Sequence, residues 1–219
     1  MDGSDFVQRR ERMVRDQIAS RGVRDTAVLA AMRQVPREEF VGPELRRRAY
    51  DDSPLPIEDD QTISQPYIVA LMLDAATIGP DDRVLEIGAG SGYASAVASL
   101  IAARVVAIER HAGLAVSAAE RLARLGFAEV EIHHADGSGG WPAAAPFDAI
   151  LVAASGPRVP EALRGQLAVG GRLVMPVGSS SWHQRLVRVV RRSDEAFDEE
   201  DLGGVVFVPL VGEHGWPES

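Results

Sequence analysis

Residues 84–93 of the 219-residue chain read VLEIGAGSGY, and this pattern is the strongest indication of the fold. The short apolar run Val84–Ile87 passes directly into three glycines, and small residues typical of a helix follow. This order predicts a buried strand, a tight turn and a helix, the unit with which a doubly wound α/β sheet begins. Ligands of such sheets bind beyond the carboxyl ends of the strands, where glycine lets a ligand approach the main chain closely.

Strand and helix patterns alternate after this unit. Because helices between successive strands imply right-handed crossovers, the alternation predicts a doubly wound, mostly parallel sheet of Rossmann-like type. The predicted strands that follow are Val105–Ile108, Val130–His133, Asp148–Val152 and Arg172–Val177. The predicted helices are Ala94–Ala102, Leu114–Leu125 and Pro160–Leu167.

The C-terminal part departs from this alternation. Arg185–Val190 and Val205–Val208 are rich in β-forming residues, but no convincing helical pattern lies between them. The acidic segment Asp194–Asp201, which separates them, is expected to be a loop. We therefore expect an antiparallel edge that completes a seven-stranded sheet.

The N-terminal part is expected to be helical. An amphipathic surface helix is predicted over Phe6–Ser20, and Asp25 is a plausible N-cap for a second helix through Ala31. A short helix could open at Pro36–Val41, and Gln65–Ala76 is predicted to be helical with a proline in its first turn. We expect residues 1–78 to form a helical cap with a substrate loop, and residues 79–219 the α/β domain, in one compact unit.

Composition excludes several classes of protein. The chain is about one and a half times as long as a typical domain, which favours one domain with an added segment. A net charge of −9 argues against a nucleic-acid or anionic-membrane partner. The absence of cysteine excludes disulfides and thiolate metal sites, and no metal site is expected. Met1–Arg12 lacks an apolar signal core, and Tyr93–Ala103 is too short to span a membrane, so a cytoplasmic protein is expected.

Three carboxylates distinguish between candidate ligands. The spacing Gly-x-Gly-x-Gly places Tyr93 where a dinucleotide-binding fingerprint needs its third glycine, and no P-loop motif is present. Glu86, just before the turn, would repel a pyrophosphate and favour a ligand with an amino group. Glu109 ends the second strand and could accept hydrogen bonds from ribose hydroxyls, whereas Asp136 follows the third strand and could bind an adenine amino group. This order predicts S-adenosylmethionine rather than a nicotinamide cofactor, although each acid taken singly could be structural.

Motifs along most of the chain carry a family resemblance. Together with Val84–Gly92, the segment Gln61–Tyr67 closely resembles the protein-L-isoaspartate (D-aspartate) O-methyltransferases. Further motifs occur in family order from about residue 55 to residue 210. They are Leu55–Ile57, Phe147–Ile150, Gln166–Leu167 with Gly170–Val174, Pro176–Gly178 and Val206–Leu210.

The resemblance implies a class I methyltransferase that repairs damaged proteins. Such enzymes transfer a methyl group from S-adenosylmethionine to the free α-carboxylate of L-isoaspartyl residues, and D-aspartyl residues are a further candidate substrate. The product cofactor is S-adenosylhomocysteine, and isoaspartyl peptides and proteins are the partners. Because a carboxylate of pKa near 4 is already ionised at pH 7, the reaction needs alignment and exclusion of water rather than a strong base.

The resemblance also assigns residues. Ser64 matches the catalytic position, where its hydroxyl could orient the substrate carboxylate, although a helix N-cap is the structural alternative. His111, His133 and His134 are weak catalytic candidates. Val206–Leu210 would form the last strand, with backbone available to an extended peptide. The residues expected at the cofactor are Thr62, Ile63, Ser64, Glu86, Gly88, Ala89, Gly90, Gly92, Glu109, Arg110, Asp136 and Gly137.

Two departures from the family pattern keep alternatives open. Glu58-Asp59-Asp60 stands where family members usually have Gly-x-Gly before Gln61 and Thr62, and Ser155-Gly156-Pro157 replaces a commoner turn rich in alanine and proline. The acids could alter loop closure or repel an acidic peptide. The same fold could instead methylate an aspartate of a dedicated peptide partner, or bind the cofactor without catalysis. A monomer is expected.

Overall fold

The computed structural model describes residues 3–180 and 183–218. Its helices are α1 (Gly3–Arg12), α2 (Thr26–Gln34), α3 (Pro66–Ala76), α4 (Tyr93–Ser99), α5 (Ala112–Leu125) and α6 (Glu161–Arg164). Its strands are β1 (Leu55–Pro56), β2 (Thr62–Ile63), β3 (Arg83–Ile87), β4 (Arg104–Glu109), β5 (Glu131–His134), β6 (Phe147–Val152), β7 (Leu167–Ser180), β8 (His183–Arg191) and β9 (Phe197–Val205). Short 3₁₀ turns occupy Ala19–Arg21, Arg37–Glu39, Pro43–Arg48, Gly137–Gly139 and Pro142–Ala144.

Within the described residues, seven strands form one sheet in the order β5-β4-β3-β6-β7-β8-β9. The first five strands of this order are parallel, whereas β8 runs antiparallel to both β7 and β9. The chain crosses over in one direction from β3 to β5 and in the other from β6 onward. The carboxyl ends of β3 and β6 therefore flank the point where ligands of such sheets bind. The predicted doubly wound sheet with an antiparallel edge is confirmed.

The loop predicted over Asp194–Asp201 is present only at residues 194–196, and the rest of the prediction is wrong. Residues 197–201 form the first half of β9, and Val205 is the last residue of that strand rather than its first. Arginines on or just beyond β8 explain why this charged segment is extended, because three of them pair with acids of β9. The N–O distances are 3.0 Å for Arg185–Asp201, 2.7 Å for Arg188–Glu200 and 2.6 Å for Arg192–Asp198. Such cross-strand pairs favour a β ladder although the side chains are polar.

Apolar side chains cover both faces of the sheet. Alternate residues of β6 enter different hydrophobic clusters, with Ala149 and Leu151 in one and Ile150 and Val152 in the other. This is the alternation expected of a strand that is buried on both faces. The first cluster also contains residues of the N-terminal helices, so the N-terminal segment and the sheet share one core.

The N-terminal helix is longer and more buried than a surface helix. After α1 the chain continues as a π-helical segment, Met13–Ile18, whose apolar residues Met13, Val14 and Ile18 are fully buried. Asp25 caps α2 as predicted, since its carboxylate accepts hydrogen bonds from the backbone of Ala27 and Val28. The predicted short helix at Pro36–Val41 is a single 3₁₀ turn, Arg37–Glu39.

The helix predicted over Pro160–Leu167 is shorter in the structure. Only Glu161–Arg164 is α-helical, because Leu167 already belongs to β7. No helix of the described ranges is long and apolar enough to cross a membrane.

Candidate active site

A β-hairpin formed by β1 and β2 lies over the glycine-rich turn. Its tip is a turn closed by a hydrogen bond from Gln61 N to Glu58 O at 3.1 Å, with both central residues, Asp59 and Asp60, at φ +55°. Ile57 of the hairpin lies so near Gly90 that a Cβ there would be 3.4 Å from its Cδ1 atom. The hairpin therefore covers the turn directly.

The tip of the hairpin faces α5. Asp59 Oδ2 lies 4.0 Å from His111 Nδ1, and Glu58 Oε1 lies 3.9 Å from an Arg121 nitrogen. Glu58 and Asp59, two of the three acids that depart from the family pattern, therefore have basic neighbours on the side of the glycine-rich turn.

The glycine-rich turn is held by β4. The backbone N–H groups of Gly88 and Ala89 both donate to Ile108 O, at 2.8 and 3.1 Å. Gly88 and Gly90 have positive φ angles of 85° and 54°, a conformation that favours glycine. Gly92 also packs against α5, since a Cβ there would be only 3.1 Å from Leu122. Its lack of a side chain lets α5 pack close to the turn.

Glu86 is buried at the end of β3. Its side chain is hydrogen-bonded by Ser95 Oγ from α4, and the residue is 3% exposed. Burial raises the pKa of Glu86 to about 8, assisted by the nearby Glu109 and opposed by the hydrogen bond from Ser95. A cationic group placed beside it would favour the ionised form.

Glu109, at the end of β4, is fixed by the backbone. Its two carboxylate oxygens accept hydrogen bonds from Gly90 N and His111 N, both at 2.9 Å. A carboxylate has about four lone-pair sites, so each oxygen can still accept a bond from a ligand hydroxyl. The role of Glu109 at a ribose stays a prediction.

Ser64 lies between β2 and α3 and does not cap the helix. The N-cap of α3 is Gln65, so the structural alternative for Ser64 is wrong. The Ser64 carbonyl accepts a 2.8 Å hydrogen bond from Arg37 Nη2, and Arg37 Nε donates to Ala49 O at 2.7 Å. Arg37 is fully buried, with its guanidinium carbon 4.8 Å from the ring centroid of Tyr93. This arginine, which the sequence did not single out, holds the serine loop.

Asp136 faces the C-terminal segment. Its Oδ1 accepts a hydrogen bond from Ser138 N at 2.8 Å, and its Oδ2 accepts one from Glu213 N at 2.9 Å. Burial acts to raise the pKa of Asp136, but these hydrogen bonds and the nearby His214 outweigh it and lower the pKa.

Residues 206–210 do not form the predicted last strand. The backbone of Phe207 is bonded by the Gln184 side chain, which donates to its carbonyl at 3.0 Å and accepts from its N–H at 2.7 Å. The backbone N–H of Ser155 donates to Val208 O, and its carbonyl accepts from Leu210 N, both at 2.8 Å. These contacts occupy the backbone groups of Phe207, the Val208 carbonyl and the Leu210 N–H, so fewer groups of this segment are available to a peptide than was expected.

One cavity, here called the inner cavity, joins most of the predicted residues. Gly92 and Asp136 are the exceptions. Asp136 lines an adjoining pocket, which shares Arg110 and Val211 with the inner cavity. The predicted residues that line the inner cavity are Thr62, Ile63, Ser64, Glu86, Gly88, Ala89, Gly90, Glu109, Arg110 and Gly137.

Some lining residues were not in the predicted set. Ala153 and Ala154 follow β6 and line the cavity. They lie where the crossovers change direction, the point at which such sheets bind ligands, so a correct strand order would have predicted them. His111, a weak candidate in the sequence, also lines the cavity. Val208–Val211 enters it because Ser155 holds that segment.

Comparison with known proteins identifies the family of the chain. The family model described as Protein-L-isoaspartate(D-aspartate) O-methyltransferase matches residues 8–215. The chain belongs to this family. Among its isoaspartate methyltransferase relatives is Protein-L-isoaspartate O-methyltransferase 1 of Rhodopseudomonas palustris strain HaA2. It is 58% identical over 98% of this chain and 88% of that protein. Protein-L-isoaspartate O-methyltransferase 2 of Marinobacter nauticus is 53% identical over 99% of both chains.

Solved structures of isoaspartate methyltransferases share the fold. One from Plasmodium falciparum, solved with S-adenosyl-L-homocysteine, has a TM-score of 0.78 at 26% identity and covers 91% of this chain and 96% of its own. Another structure of a protein-L-isoaspartate O-methyltransferase has a TM-score of 0.84 at 29% identity, covering 94% of this chain and 67% of its own. The family resemblance and the predicted fold are both confirmed.

Proposed function

We propose that the chain transfers a methyl group from S-adenosylmethionine to the free α-carboxylate of L-isoaspartyl residues in damaged proteins and peptides. One observation beyond family membership supports this most directly. Ser64 lines both the inner cavity and a second depression on the outer side of α3, here called the outer groove. A residue at this junction can meet a cofactor from one side and a peptide from the other.

The inner cavity suits the cofactor by the chemistry of its groups. Glu86 would offer a buried carboxylate to the amino-acid end, Glu109 would accept hydrogen bonds from ribose hydroxyls, and the glycine turn would admit the ligand against the main chain. Asp136, in the adjoining pocket, would bind the adenine amino group. When bound, S-adenosylmethionine supplies an electrophilic methyl carbon on a sulfonium.

Little proton chemistry is needed from the protein. The substrate carboxylate is anionic at neutral pH, so its oxygen can form the new bond to carbon while the carbon–sulfur bond breaks. The residues therefore have to align the oxygen with the methyl carbon and exclude water. We assign Ser64 Oγ to a hydrogen bond with the carboxylate that fixes this approach. Arg37 fixes the Ser64 backbone through the hydrogen bond that it donates to the Ser64 carbonyl.

A matched pair of peptides tests the function. An isoaspartyl peptide is expected to gain a base-labile methyl ester from labelled S-adenosylmethionine, whereas the same peptide with an ordinary aspartyl residue is not. Equal labelling of the two peptides, or no labelling of either, would overturn the proposal.

Replacing Ser64 by alanine tests its role. Loss of one hydrogen bond to a charged group, about 1.5–3 kcal/mol, predicts roughly 10- to 100-fold slower methylation. Affinity for S-adenosylhomocysteine, measured by calorimetry, is expected to change little. Methylation at the wild-type rate in Ser64→Ala would remove the serine from the mechanism.

We also propose that the protein acts as a cytoplasmic monomer without a nucleic-acid partner. The net charge of −9 supports the absence of such a partner, and the lack of cysteine is compatible with a reducing compartment. Light scattering after size-exclusion chromatography measures the oligomeric state, and a mass of twice that of the chain would contradict a monomer.

A further inference from the structure

The outer groove runs away from Ser64 between two elements of the fold. It has a volume of about 960 Å³. One wall is α3, which contributes Tyr67, Ile68 and Leu71, and the other wall is the end of the β8–β9 hairpin with the segment that follows it. Because the groove begins at the serine, a peptide whose reacting carboxylate reaches Ser64 places its neighbouring residues here.

The described lining of the groove contains arginines but no acid of its own. Arg21, His183 and Arg185 line it, and none of the described lining residues is an Asp or a Glu. His183 and Arg185 are two residues apart on β8 and are both exposed, as expected for one face of a strand. Asp52 and Asp201 lie just outside the groove and pair with these arginines, so the groove presents guanidinium groups to a ligand without a large excess of positive charge.

The two arginines retain donors for a ligand. Arg21 binds Asp52 at 3.0 Å and lies over the Tyr67 ring, 3.5 Å from its centroid. Arg185 binds Asp201 at 3.0 Å. Both of these hydrogen bonds are made through Nη1, and a guanidinium has five N–H donors in all. An acidic side chain in the groove can therefore be bound without breaking either ion pair.

We propose that the outer groove binds the residues that flank the isoaspartyl residue and selects acidic side chains among them. The inference rests on the proposed function and adds a preference to it. Apolar contacts with Tyr67, Ile68 and Leu71 hold the peptide, and the basic residues distinguish between charged flanking groups. Arg185 is the specificity-determining residue of this surface that can be tested most cleanly.

Three isoaspartyl peptides that differ only in flanking charge provide the first test. They carry Ala, Glu or Lys at positions two residues before and two residues after the isoaspartyl residue. The KM for the Glu peptide is expected to be at least fivefold lower than that for the Lys peptide, with similar kcat. This ratio should shrink in 0.5 M salt, because exposed charges are screened there.

The Ala peptide separates the two proposals. If it is methylated but the Glu and Lys peptides have equal KM values, the charge preference is wrong and the proposed function stands. If none of the three peptides is methylated, the proposed function itself fails.

A charge reversal with a matched control identifies the groove as the source of the preference. Arg185→Glu is expected to invert the ratio of KM values between the Glu and Lys peptides. Arg192→Glu serves as the control, because both arginines pair with an acid of β9, and their side chains are 63% and 60% exposed. Arg192 does not line the groove, so its reversal changes net charge and a β8–β9 ion pair equally but should leave the ratio unchanged. Equal effects of the two reversals would overturn the proposal.

Discussion

Arg37 organises the serine loop from the core of the molecule. Within the described residues it forms no ion pair, and the carboxylate of the adjacent Glu38 is instead bound by Arg10 and Tyr50. Two backbone carbonyls accept hydrogen bonds from the buried guanidinium, and the Tyr93 ring lies beside it. Because one of these carbonyls belongs to Ser64, the arginine fixes the backbone of the residue proposed to touch the substrate.

Replacing Arg37 by methionine should therefore affect both stability and substrate binding. The loss of two charge-assisted hydrogen bonds predicts destabilisation by roughly 3 kcal/mol, measured by urea unfolding. The KM for the isoaspartyl peptide should rise more than the dissociation constant of S-adenosylhomocysteine. Arg37→Lys keeps the charge and should recover part of both losses. A purely structural arginine would raise the KM and the dissociation constant equally.

The buried Glu86 makes stability depend on pH. Since burial raises its pKa to about 8, the folded chain keeps this proton in a range where the unfolded chain has released it. The resulting stabilisation is complete below about pH 4 and is lost as pH rises through 8, at about 1.4 kcal/mol per unit between these limits.

Glu86→Gln isolates this contribution. The free energy of unfolding of the cofactor-free protein, measured in urea from pH 5 to pH 9, should fall with pH more steeply in the wild type than in the variant. The difference should level off above pH 8. Parallel curves would show that Glu86 is ionised in the folded protein at neutral pH.

Among the elements, the β1–β2 hairpin carries an unusual turn. Asp59 and Asp60 both have left-handed backbone conformations, which glycine adopts without steric cost and aspartate at some cost. The family pattern places a glycine at position 60, so the sequence departure coincides with a backbone conformation that favours glycine.

Asp60→Gly is expected to stabilise the protein by about 0.5–1 kcal/mol, measured as a shift of the urea midpoint. The equivalent change at Asp59 should give less, because it also removes the carboxylate beside His111. If Asp60→Gly destabilised the protein, the side chain at this position would have to make a stabilising contact that outweighs the backbone cost.

Elements with regular patterns were predictable, and those decided by tertiary contacts were not. The alternation after Val84 predicted the parallel strands, because β3, β4 and β6 are mostly apolar and β5 lies between recognisable helix and turn signals. β9 was missed because its acids favour a strand only when arginines lie opposite them. In the same way, Glu86 and Glu109 were recognised from their places at strand ends. Arg37 was missed because its contacts reach 12 and 27 residues along the chain.

In the molecule as a whole, the C-terminal segment, residues 211–218, lines the pocket that adjoins the inner cavity. Trp216 fixes it, since its Nε1 donates to Ser155 O at 2.9 Å and its backbone N–H donates to Leu210 O at 2.7 Å. With the segment held in this way, the Glu213 N–H donates a hydrogen bond to the Asp136 carboxylate. The proposed adenine pocket is therefore completed by residues far along the chain.

Trp216→Ala should release this segment and weaken S-adenosylhomocysteine binding about 5- to 10-fold, measured by calorimetry, because one hydrogen bond and a half-buried ring are lost. Limited proteolysis should cut the variant faster near its C-terminal end. Trp216→Phe is the matched comparison, since it keeps an aromatic ring and removes only the hydrogen bond to Ser155, and it should lose less affinity. Unchanged cofactor affinity in a proteolytically sensitive Trp216→Ala protein would separate the segment from the cofactor site.

The charged ladder between β8 and β9 has a further consequence at the open edge of the sheet. An edge strand exposes unpaired backbone groups that can recruit another extended chain, and charged side chains are a common defence. Asp198, Glu199, Glu200 and Asp201 are all exposed on this edge. A protein that binds extended segments in one groove must not offer them a second docking place along its own sheet. The exposed acids of β9 therefore suit a protein that is proposed to work among damaged, partly extended chains.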